Sequence, residues 1–172
     1  MNKVANPRKP LRLNVGFIIN APIGYSRDFD FESPLLKAGE DLTLADFAGL
    51  AKIGRTPQGL LVQGNFTGKV MLECVRCLSE YEQALQWELT ELYAFNRKSV
   101  TESGLIVPED AHIDLQPLVR EFALLEFPLK PLCKPGCKGL CMVCGENLNE
   151  GDCGHRPDED SPFAALKQLL DK

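Results

Sequence analysis

Residues that bind soft metal ions are concentrated near the C-terminal end of this 172-residue sequence. Residues 133–155 read CKPGCKGLCMVCGENLNEGDCGH and hold five of the seven cysteines and one of the two histidines. The other two cysteines, Cys74 and Cys77, are spaced C-x-x-C, and the same spacing recurs at Cys141 and Cys144. Thiolates and imidazoles at such spacings are the usual ligands of tetrahedral zinc. The pattern therefore predicts metal binding.

The number of these ligands suggests how they divide. Seven cysteines and His155 make eight ligands, which is the number that two tetrahedral sites require. Chain order favours one ion held by Cys74, Cys77, Cys133 and Cys137, and a second held by Cys141, Cys144, Cys153 and His155. A single ion bound by Cys74, Cys77, Cys141 and Cys144, with the rest as spare thiols, remains open. We therefore expect one or two zinc ions.

The same residues indicate a structural metal and not a catalytic one. A catalytic zinc keeps an open position for water and lies beside an acid or base, whereas thiolate-rich sites are poor Lewis acids. His112, the other histidine, is expected to cap a helix or to lie in solvent. The sequence has no glycine-rich phosphate loop, no H-E-x-x-H and no nucleophile elbow. It predicts a non-enzymatic protein with no catalytic residues and no small-molecule substrate.

Two long strands are expected to carry the first C-x-x-C pair. Apolar and polar residues alternate from Val62 to Cys74 and again from Tyr81 to Phe95, which is the pattern of strands with one buried face. The pair then falls in the turn of an antiparallel hairpin, where backbone N–H groups can donate to both sulfurs. Gly64 and Gly68 lie on the buried face and predict either strong twist or a close-packed neighbour.

The rest of the chain supplies further strands and two helices. Residues 11–19 have apolar side chains at every odd position and are predicted to form a strand, and residues 27–32 alternate more weakly. Residues 46–55 fit either a strand or a short helix, and the turn that follows favours a hairpin. A helix is expected to begin at the cap Asp114 and to end before Pro128. A second helix is predicted near the C-terminus, where Phe163, Leu166, Leu169 and Leu170 form one stripe.

These elements define an α+β fold, with a twisted antiparallel β-sheet or partly closed barrel, two helices and a zinc-stapled C-terminal segment. The chain is expected to be one domain, 1–172. Its parts are a β-rich region at 1–96, a loop and helix at 97–132, the cysteine-rich zinc segment at 133–156 and the C-terminal helix at 157–172.

Composition limits the partners and the compartment. The net charge is −5 with a pI near 5.1, which argues against a surface that attracts nucleic acid everywhere. No apolar run approaches the roughly 20 residues that a membrane span needs, and no signal peptide is recognisable. We expect a cytoplasmic protein that does not enter membranes. In that compartment an odd number of cysteines also argues against a disulfide framework.

The cysteine motifs carry a resemblance to a known family. The segments Cys74-Val75-Arg76-Cys77-Leu78 and Cys137-Lys138-Gly139-Leu140-Cys141-Met142-Val143-Cys144-Gly145-Glu146-Asn147-Leu148-Asn149 resemble those of the YceD family, the bacterial large ribosomal RNA subunit accumulation proteins. The resemblance covers roughly residues 10–170. The family pattern usually ends in C-x-C, whereas this chain has Cys153-Gly154-His155, so histidine replaces the last cysteine.

The resemblance implies a part in the accumulation of large-subunit ribosomal RNA and hence in ribosome assembly. The expected partner is that RNA or a ribosomal or assembly protein. Three rivals remain at this point: a thiol-disulfide oxidoreductase using Cys74 and Cys77, a zinc-ribbon nucleic-acid-binding regulator, and a metal store. The oligomeric state is not predicted.

Overall fold

The computed structural model describes residues 10–155. In that range the elements run β1 (Arg12–Asn14), α1 (Gly16–Ile19), β2 (Ser26–Lys37), β3 (Thr43–Arg55), β4 (Gly59–Glu73), β5 (Glu80–Ala94), a 3₁₀ turn (Arg97–Ser99), β6 (His112–Asp114) and α2 (Gln116–Leu125). The chain divides into two compact units, which are described separately below. Among the described residues, the first unit holds 10–71 and 82–129, and the second holds 72–81 and 130–155. The single domain predicted for residues 1–172 stays a prediction.

The main sheet is antiparallel and open. Its strands lie in the order β2-β3-β4-β5, while β1 and β6 form a separate antiparallel pair. Within residues 10–155 the strands β2 and β5 are the edges of the sheet, so the partly closed barrel is not formed. The antiparallel sheet with two helices is confirmed, although one of these helices, α1, is not one that was predicted.

The alternation predicted for the hairpin of β4 and β5 is confirmed. Side chains on one face are buried and side chains on the other are exposed along most of both strands. Phe66 is central to the buried face, because its ring covers two glycines. A Cβ at Gly49 or Gly64 would lie 2.2 Å or 2.4 Å from that ring. Gly64 is therefore small because a close-packed neighbour occupies the space above it.

Four aromatic rings fill the core of the first unit. The Phe66 ring centroid lies 5.7 Å from that of Phe47, 5.9 Å from that of Trp87 and 6.1 Å from that of Phe31. These distances are typical of stacked and tilted aromatic pairs. Aliphatic side chains from β1, α1 and α2 and the residues between them belong to the same core: Leu13, Val15, Ile18, Leu118 and Val119.

A bulge in β3 keeps its apolar residues on the core side. Asp46 and Phe47 together lie opposite a single position of β4, between the pairs Ala45–Lys69 and Ala48–Thr67. Asp46 has φ of 48°, a conformation that aspartate tolerates better than most residues. The extra residue changes the side-chain alternation, so that Leu44 and Phe47 are both buried. Residues 46–55, which were ambiguous in the sequence, are thus part of a strand.

The strand predicted over residues 11–19 is wrong beyond Asn14. The Asn14 side chain accepts a hydrogen bond from the Gly16 amide at 3.0 Å, and the helix α1 follows at once. From Val15 onward the buried positions have helical spacing, and Phe17 is 47% exposed. This hydrogen bond from a backbone amide to a side chain two residues earlier favours a turn over a continued strand.

The predicted helix after Asp114 is confirmed, although its N-cap is Leu115, one residue later than the predicted cap. The Asp114 carboxylate accepts a hydrogen bond from the Gln116 amide at 3.0 Å, and α2 ends at Leu125, before Pro128. The helix predicted for residues 157–172 lies outside the described residues. Between residues 10 and 155, no helix has both the length and the apolar character needed to cross a bilayer.

Candidate metal centre

The connection between β4 and β5 forms the first knuckle of the second unit. The Cys74 amide donates to Ser79 O at 3.0 Å, and the Leu78 amide donates to Cys74 O at 2.9 Å. Leu78 takes a φ of 58°, which closes the turn. Both cysteines of the C-x-x-C pair are buried, with Cys74 0% and Cys77 6% exposed. The turn therefore presents both thiols to the interior of this unit.

Cys133 and Cys137 complete the first cluster, which consists of Cys74, Cys77, Cys133 and Cys137. All four sulfurs lie within 4.8 Å of one another. The Sγ–Sγ distance is 3.8 Å from Cys74 to Cys137 and 3.6 Å from Cys77 to Cys133. A disulfide needs about 2.05 Å. Four sulfurs at about 2.3 Å from one tetrahedral ion are about 3.8 Å apart. The spacing fits a shared ion.

Ionisation within the first cluster is uneven. Burial acts to raise the pKa of Cys74, but hydrogen bonds from the backbone of Cys133, Cys77 and Arg76 outweigh it and lower that pKa to about 6. Ser79 lowers the pKa of Cys77 through its side chain and its backbone. By contrast, burial and the neighbouring sulfurs raise the pKa of Cys133 to about 12. Four thiolates this close repel one another, so the cluster suits a cation at its centre.

The second C-x-x-C pair lies in a small hairpin of the same unit. Leu140 forms an antiparallel bridge with Asn147, and the Leu148 amide donates to Gly139 O at 2.9 Å. At the turn, the Cys141 amide donates to Glu146 O at 2.8 Å, and Gly145 has a φ of 74°. Glycine adopts this conformation at little cost. The glycine after the second cysteine thus closes this knuckle, as Leu78 closes the first.

The second cluster consists of Cys141, Cys144, Cys153 and His155. Their ligand atoms also lie within 4.8 Å of one another. Hydrogen bonds from the backbone of Cys144 and Val143 lower the pKa of Cys141 to about 6, and the Val143 amide lies 3.4 Å from its sulfur. The backbone of His155 acts to lower the pKa of Cys153, but Cys141, burial and Cys144 together raise it to about 11. The electrostatic pattern repeats that of the first cluster.

The two clusters differ in exposure. In the first, all residues except the half-buried Cys133 are buried, whereas in the second Cys144 and His155 are exposed and Cys153 is half-buried. The geometry also separates Cys141 and Cys144 from Cys74 and Cys77, so it does not match the single-ion alternative. The structure brings the eight residues together as the two predicted sets. That they bind ions stays a prediction.

Several polar residues around the clusters were not assigned by sequence reasoning. Ser79 Oγ lies 3.5 Å from Cys77 Sγ, and Asn149 Nδ2 donates to Cys137 Sγ at 3.3 Å. Arg76, inside the first knuckle, donates to Cys137 O at 2.8 Å rather than to a thiolate. No pattern of residue types in the sequence indicates these contacts.

His112 belongs to neither cluster. It lies in β6 of the first unit, where its Nδ1 is 2.6 Å from Asp110 O. It does not cap α2, because its amide and its ring both face Asp110; the amide donates to Asp110 Oδ1 at 3.1 Å. The ring is partly exposed, at 36% of the side chain. His112 is therefore held at a loop and contributes no ligand to the candidate metal centre.

The fold and the two clusters define a class: a small antiparallel-sheet protein with two cysteine-rich knuckle sites that can hold metal ions. The chain belongs to the YceD family, described as large ribosomal RNA subunit accumulation protein YceD, whose family model matches residues 62–170. This match includes most of the β4–β5 hairpin and all eight candidate ligands. The family that the motifs resemble is thus confirmed.

Several known proteins are similar to this chain. An uncharacterized protein of Mycobacterium tuberculosis is 34% identical over 126 residues, which are 69% of this chain and 59% of that protein. The protein YlbN of Bacillus subtilis, also uncharacterized, is 28% identical over 109 residues, which are 60% of this chain and 62% of YlbN. The chain therefore spans less than two thirds of the length of these relatives.

A plant relative carries a functional name. The large ribosomal RNA subunit accumulation protein YCED homolog 1, chloroplastic, of Arabidopsis thaliana is 36% identical over 67 residues, which are 38% of this chain and 21% of that protein. No solved structure matches the chain. The cytoplasmic location of this chain stays a prediction.

Proposed function

We propose that this chain is a non-enzymatic factor in the accumulation of large-subunit ribosomal RNA, and that it acts in ribosome assembly with two structural zinc ions. The observation that carries the proposal is the match to the YceD family over residues 62–170, a range that contains both clusters. The plant relatives named for accumulation of this RNA support the same role.

Zinc is the metal that suits these donor sets best. A set of four cysteines and a set of three cysteines with one histidine are both typical of structural zinc, and soft sulfur ligands disfavour magnesium and calcium. The Sγ–Sγ distances of 3.6 Å and 3.8 Å support a single ion in the first cluster. Four protein ligands leave no open position for water, so the proposed role is structural.

The charge on the sheet favours a protein partner over RNA. Register places Asp28, Asp30 and Glu32 of the edge strand β2 on the same face as Lys52 and Leu50 of β3. All three acidic side chains are exposed and have no ion pair among residues 10–155. Such an edge repels phosphate and attracts lysine and arginine. The partner supported is a protein with a basic segment.

The centre of this face has the shape and polarity for such a segment. Asp30, Leu50 and Asn65 lie in one row across β2, β3 and β4. They line a shallow depression of about 430 Å³ together with Glu32 and Thr67. An aliphatic stem of lysine or arginine can cover Leu50 while its charged end reaches Asp30 or Glu32.

The oxidoreductase alternative is weakened by burial. Reactive cysteines are partly exposed, whereas Cys74 is 0% and Cys77 6% exposed. The lowered pKa of Cys74 fits a metal-binding thiolate as well as a nucleophile.

The nucleic-acid regulator is weakened by charge. Phosphate contacts need a basic face. Lys134 and Lys138 are the cations of residues 133–155, against the acids Glu146, Glu150 and Asp152. The cysteine-rich segment therefore lacks the excess of positive charge that such a regulator requires.

The test is recovery of the full chain from cells of its own organism with its partners. We expect two zinc ions per chain by elemental analysis, and large-subunit proteins that remain bound after ribonuclease treatment. The variant D28N/D30N/E32Q should lose most of this recovery, while E102Q/E109Q/E121Q, with the same change of charge at exposed positions elsewhere, should keep it. Recovery of neither large-subunit RNA nor its proteins would refute the assembly role. Loss of all partners on ribonuclease treatment would instead identify RNA as the direct contact.

A further inference from the structure

Residues 137–140, which lead into the second cluster, are hydrogen-bonded to the first knuckle. Arg76 lies between Cys74 and Cys77 and contacts this segment with both its backbone and its side chain. Its carbonyl accepts a hydrogen bond from the Leu140 amide at 3.1 Å, and its guanidinium donates to Cys137 O at 2.8 Å. The hairpin that holds Cys141 and Cys144 therefore begins on the backbone of the first C-x-x-C turn.

Asn149 makes the second connection between the clusters. Its Nδ2 donates to Cys137 Sγ, a first-cluster ligand, at 3.3 Å, and to Asn147 Oδ1 at 2.8 Å. Its Oδ1 accepts from the Lys138 amide at 3.0 Å. The side chain of Asn149 thus contacts a ligand of the first cluster, Cys137, the next residue, Lys138, and Asn147 in the second hairpin.

Asn149 lies in the chain between the two pairs of ligands of the second cluster. Cys141 and Cys144 precede it, and Cys153 and His155 follow it, so both pairs of ligands are connected through the backbone at Asn149. Holding Asn149 in place limits where both halves can lie. The first cluster has its own supports, since the amide of Val75 donates to Pro131 O at 2.9 Å.

We propose that Asn149 couples the two clusters, so that an ion in the first cluster raises the affinity of the second for its own ion. This inference rests on the metal occupancy proposed above. An ion in the first cluster fixes Cys137 Sγ, and that sulfur fixes Asn149 through the hydrogen bond from Nδ2. The second cluster then loses less conformational freedom when its ion binds. Because Cys144 and His155 are exposed, the second cluster also has less support of its own.

The coupling is reciprocal. An ion in the second cluster must raise the affinity of the first by the same factor, since binding free energies are linked. The factor is therefore measurable as the ratio of first-cluster affinities with and without an intact second cluster. Cys144→Ser removes a ligand of the second cluster and gives the uncoupled value.

The experiment titrates the full metal-free chain with cobalt(II) and follows its visible absorption, which differs between a four-thiolate environment and one of three thiolates with an imidazole. Competition with a chelator then gives the affinity of each cluster for zinc. Outer residues that hydrogen-bond to metal ligands typically contribute about 10- to 100-fold to affinity. We expect a coupling factor of at least about tenfold in the unmodified chain and a factor near one in Asn149→Ala.

Two further variants separate coupling from general damage. Asn149→Asp keeps an oxygen for the Lys138 amide but removes the donor to Cys137 Sγ and to Asn147 Oδ1, so it should also abolish the coupling even if Asn149→Ala does not fold. Thr90→Ala, at an exposed position of β5, should leave the coupling unchanged. Equal first-cluster affinities in the unmodified chain and in Cys144→Ser would overturn the proposal, as would undiminished coupling in Asn149→Asp. A chain without cobalt bands at either cluster would refute the metal occupancy itself, a result distinct from two filled but independent clusters.

Discussion

The replacement Gly139→Ala tests how closely the second hairpin approaches the first knuckle. Gly139 has a φ of 80°, and a Cβ there would lie 3.1 Å from Arg76 O and 3.4 Å from Arg76 Cβ. The left-handed conformation costs an alanine about 1–2 kcal/mol. The nearer contact is tighter than ordinary packing, so the carbonyl that accepts from Leu140 must also shift.

The strain should appear as weaker metal binding at the second cluster. If the hairpin relieves the strain by moving away from Arg76, the conformation that binds metal is destabilised by about 1–2 kcal/mol. This corresponds to a loss of about 5- to 30-fold in metal affinity. Chelator competition on zinc-loaded full-length protein measures this loss directly. In parallel competition on cobalt-loaded protein, the visible absorption should show that the histidine-containing cluster empties first.

A matched glycine provides the control. Gly136 belongs to the same segment, has no positive φ, and a Cβ there would meet no heavy atom within 4 Å. Gly136→Ala should therefore keep the affinity of both clusters within about twofold, since it introduces neither contact nor strain. Equal zinc affinities in Gly139→Ala and Gly136→Ala would show that the second cluster does not depend on the contact with Arg76.

Three further predictions concern the core, the response to pH and the metal count. Phe66→Ala should lower the free energy of unfolding by about 3–5 kcal/mol, because the ring is buried between three others; a loss below about 1 kcal/mol in denaturant titrations would contradict this. Burial, then the charges of Asp114 and Glu91, raise the pKa of Tyr93 to about 12. The pKa of Tyr93 in the folded protein exceeds the unfolded value near 10. Its contribution to the free energy of unfolding is therefore fully present below pH 10 and is lost as the pH rises towards 12. Relative to Tyr93→Phe, the unmodified protein should lose stability across that window, and parallel stability curves for the two proteins would refute the assignment. Cys144→Ser should bind one zinc per chain instead of two by elemental analysis, and an unchanged ratio would exclude Cys144 as a ligand.

The elements with an unambiguous period were predictable from sequence. Side chains of β4 and β5 alternate between core and solvent along most of each strand, and no local feature interrupts them. The N-terminal segment has the same alternation through Phe17, yet the side chain of Asn14 turns the backbone into α1. Hydrogen bonds of this kind compete with strand formation, and the alternation here spans only a few residues.

The grouping of the cysteines could be predicted from their number and order, but the contacts around them could not. Ligand spacing is visible in the sequence because C-x-x-C fixes a local turn. The contact of Asn149 with Cys137 joins residues 12 apart, and that of Arg76 with Cys137 joins residues 61 apart. Such contacts depend on how the chain folds back on itself, and no pattern of residue types specifies them in advance.

An ion bound in the first cluster would also constrain the unfolded chain. The sulfurs of Cys77 and Cys133 meet although they are 56 residues apart, and the chain between them includes β5, β6 and α2. A cross-link that closes a loop of this length removes freedom from the unfolded chain worth about 4 kcal/mol, by the entropy relation used for disulfides. An ion bound there would stabilise the folded state partly by lowering the conformational entropy of the unfolded state. Loss of such an ion would open the closed loop, and the enclosed residues would then lose more conformational entropy on folding.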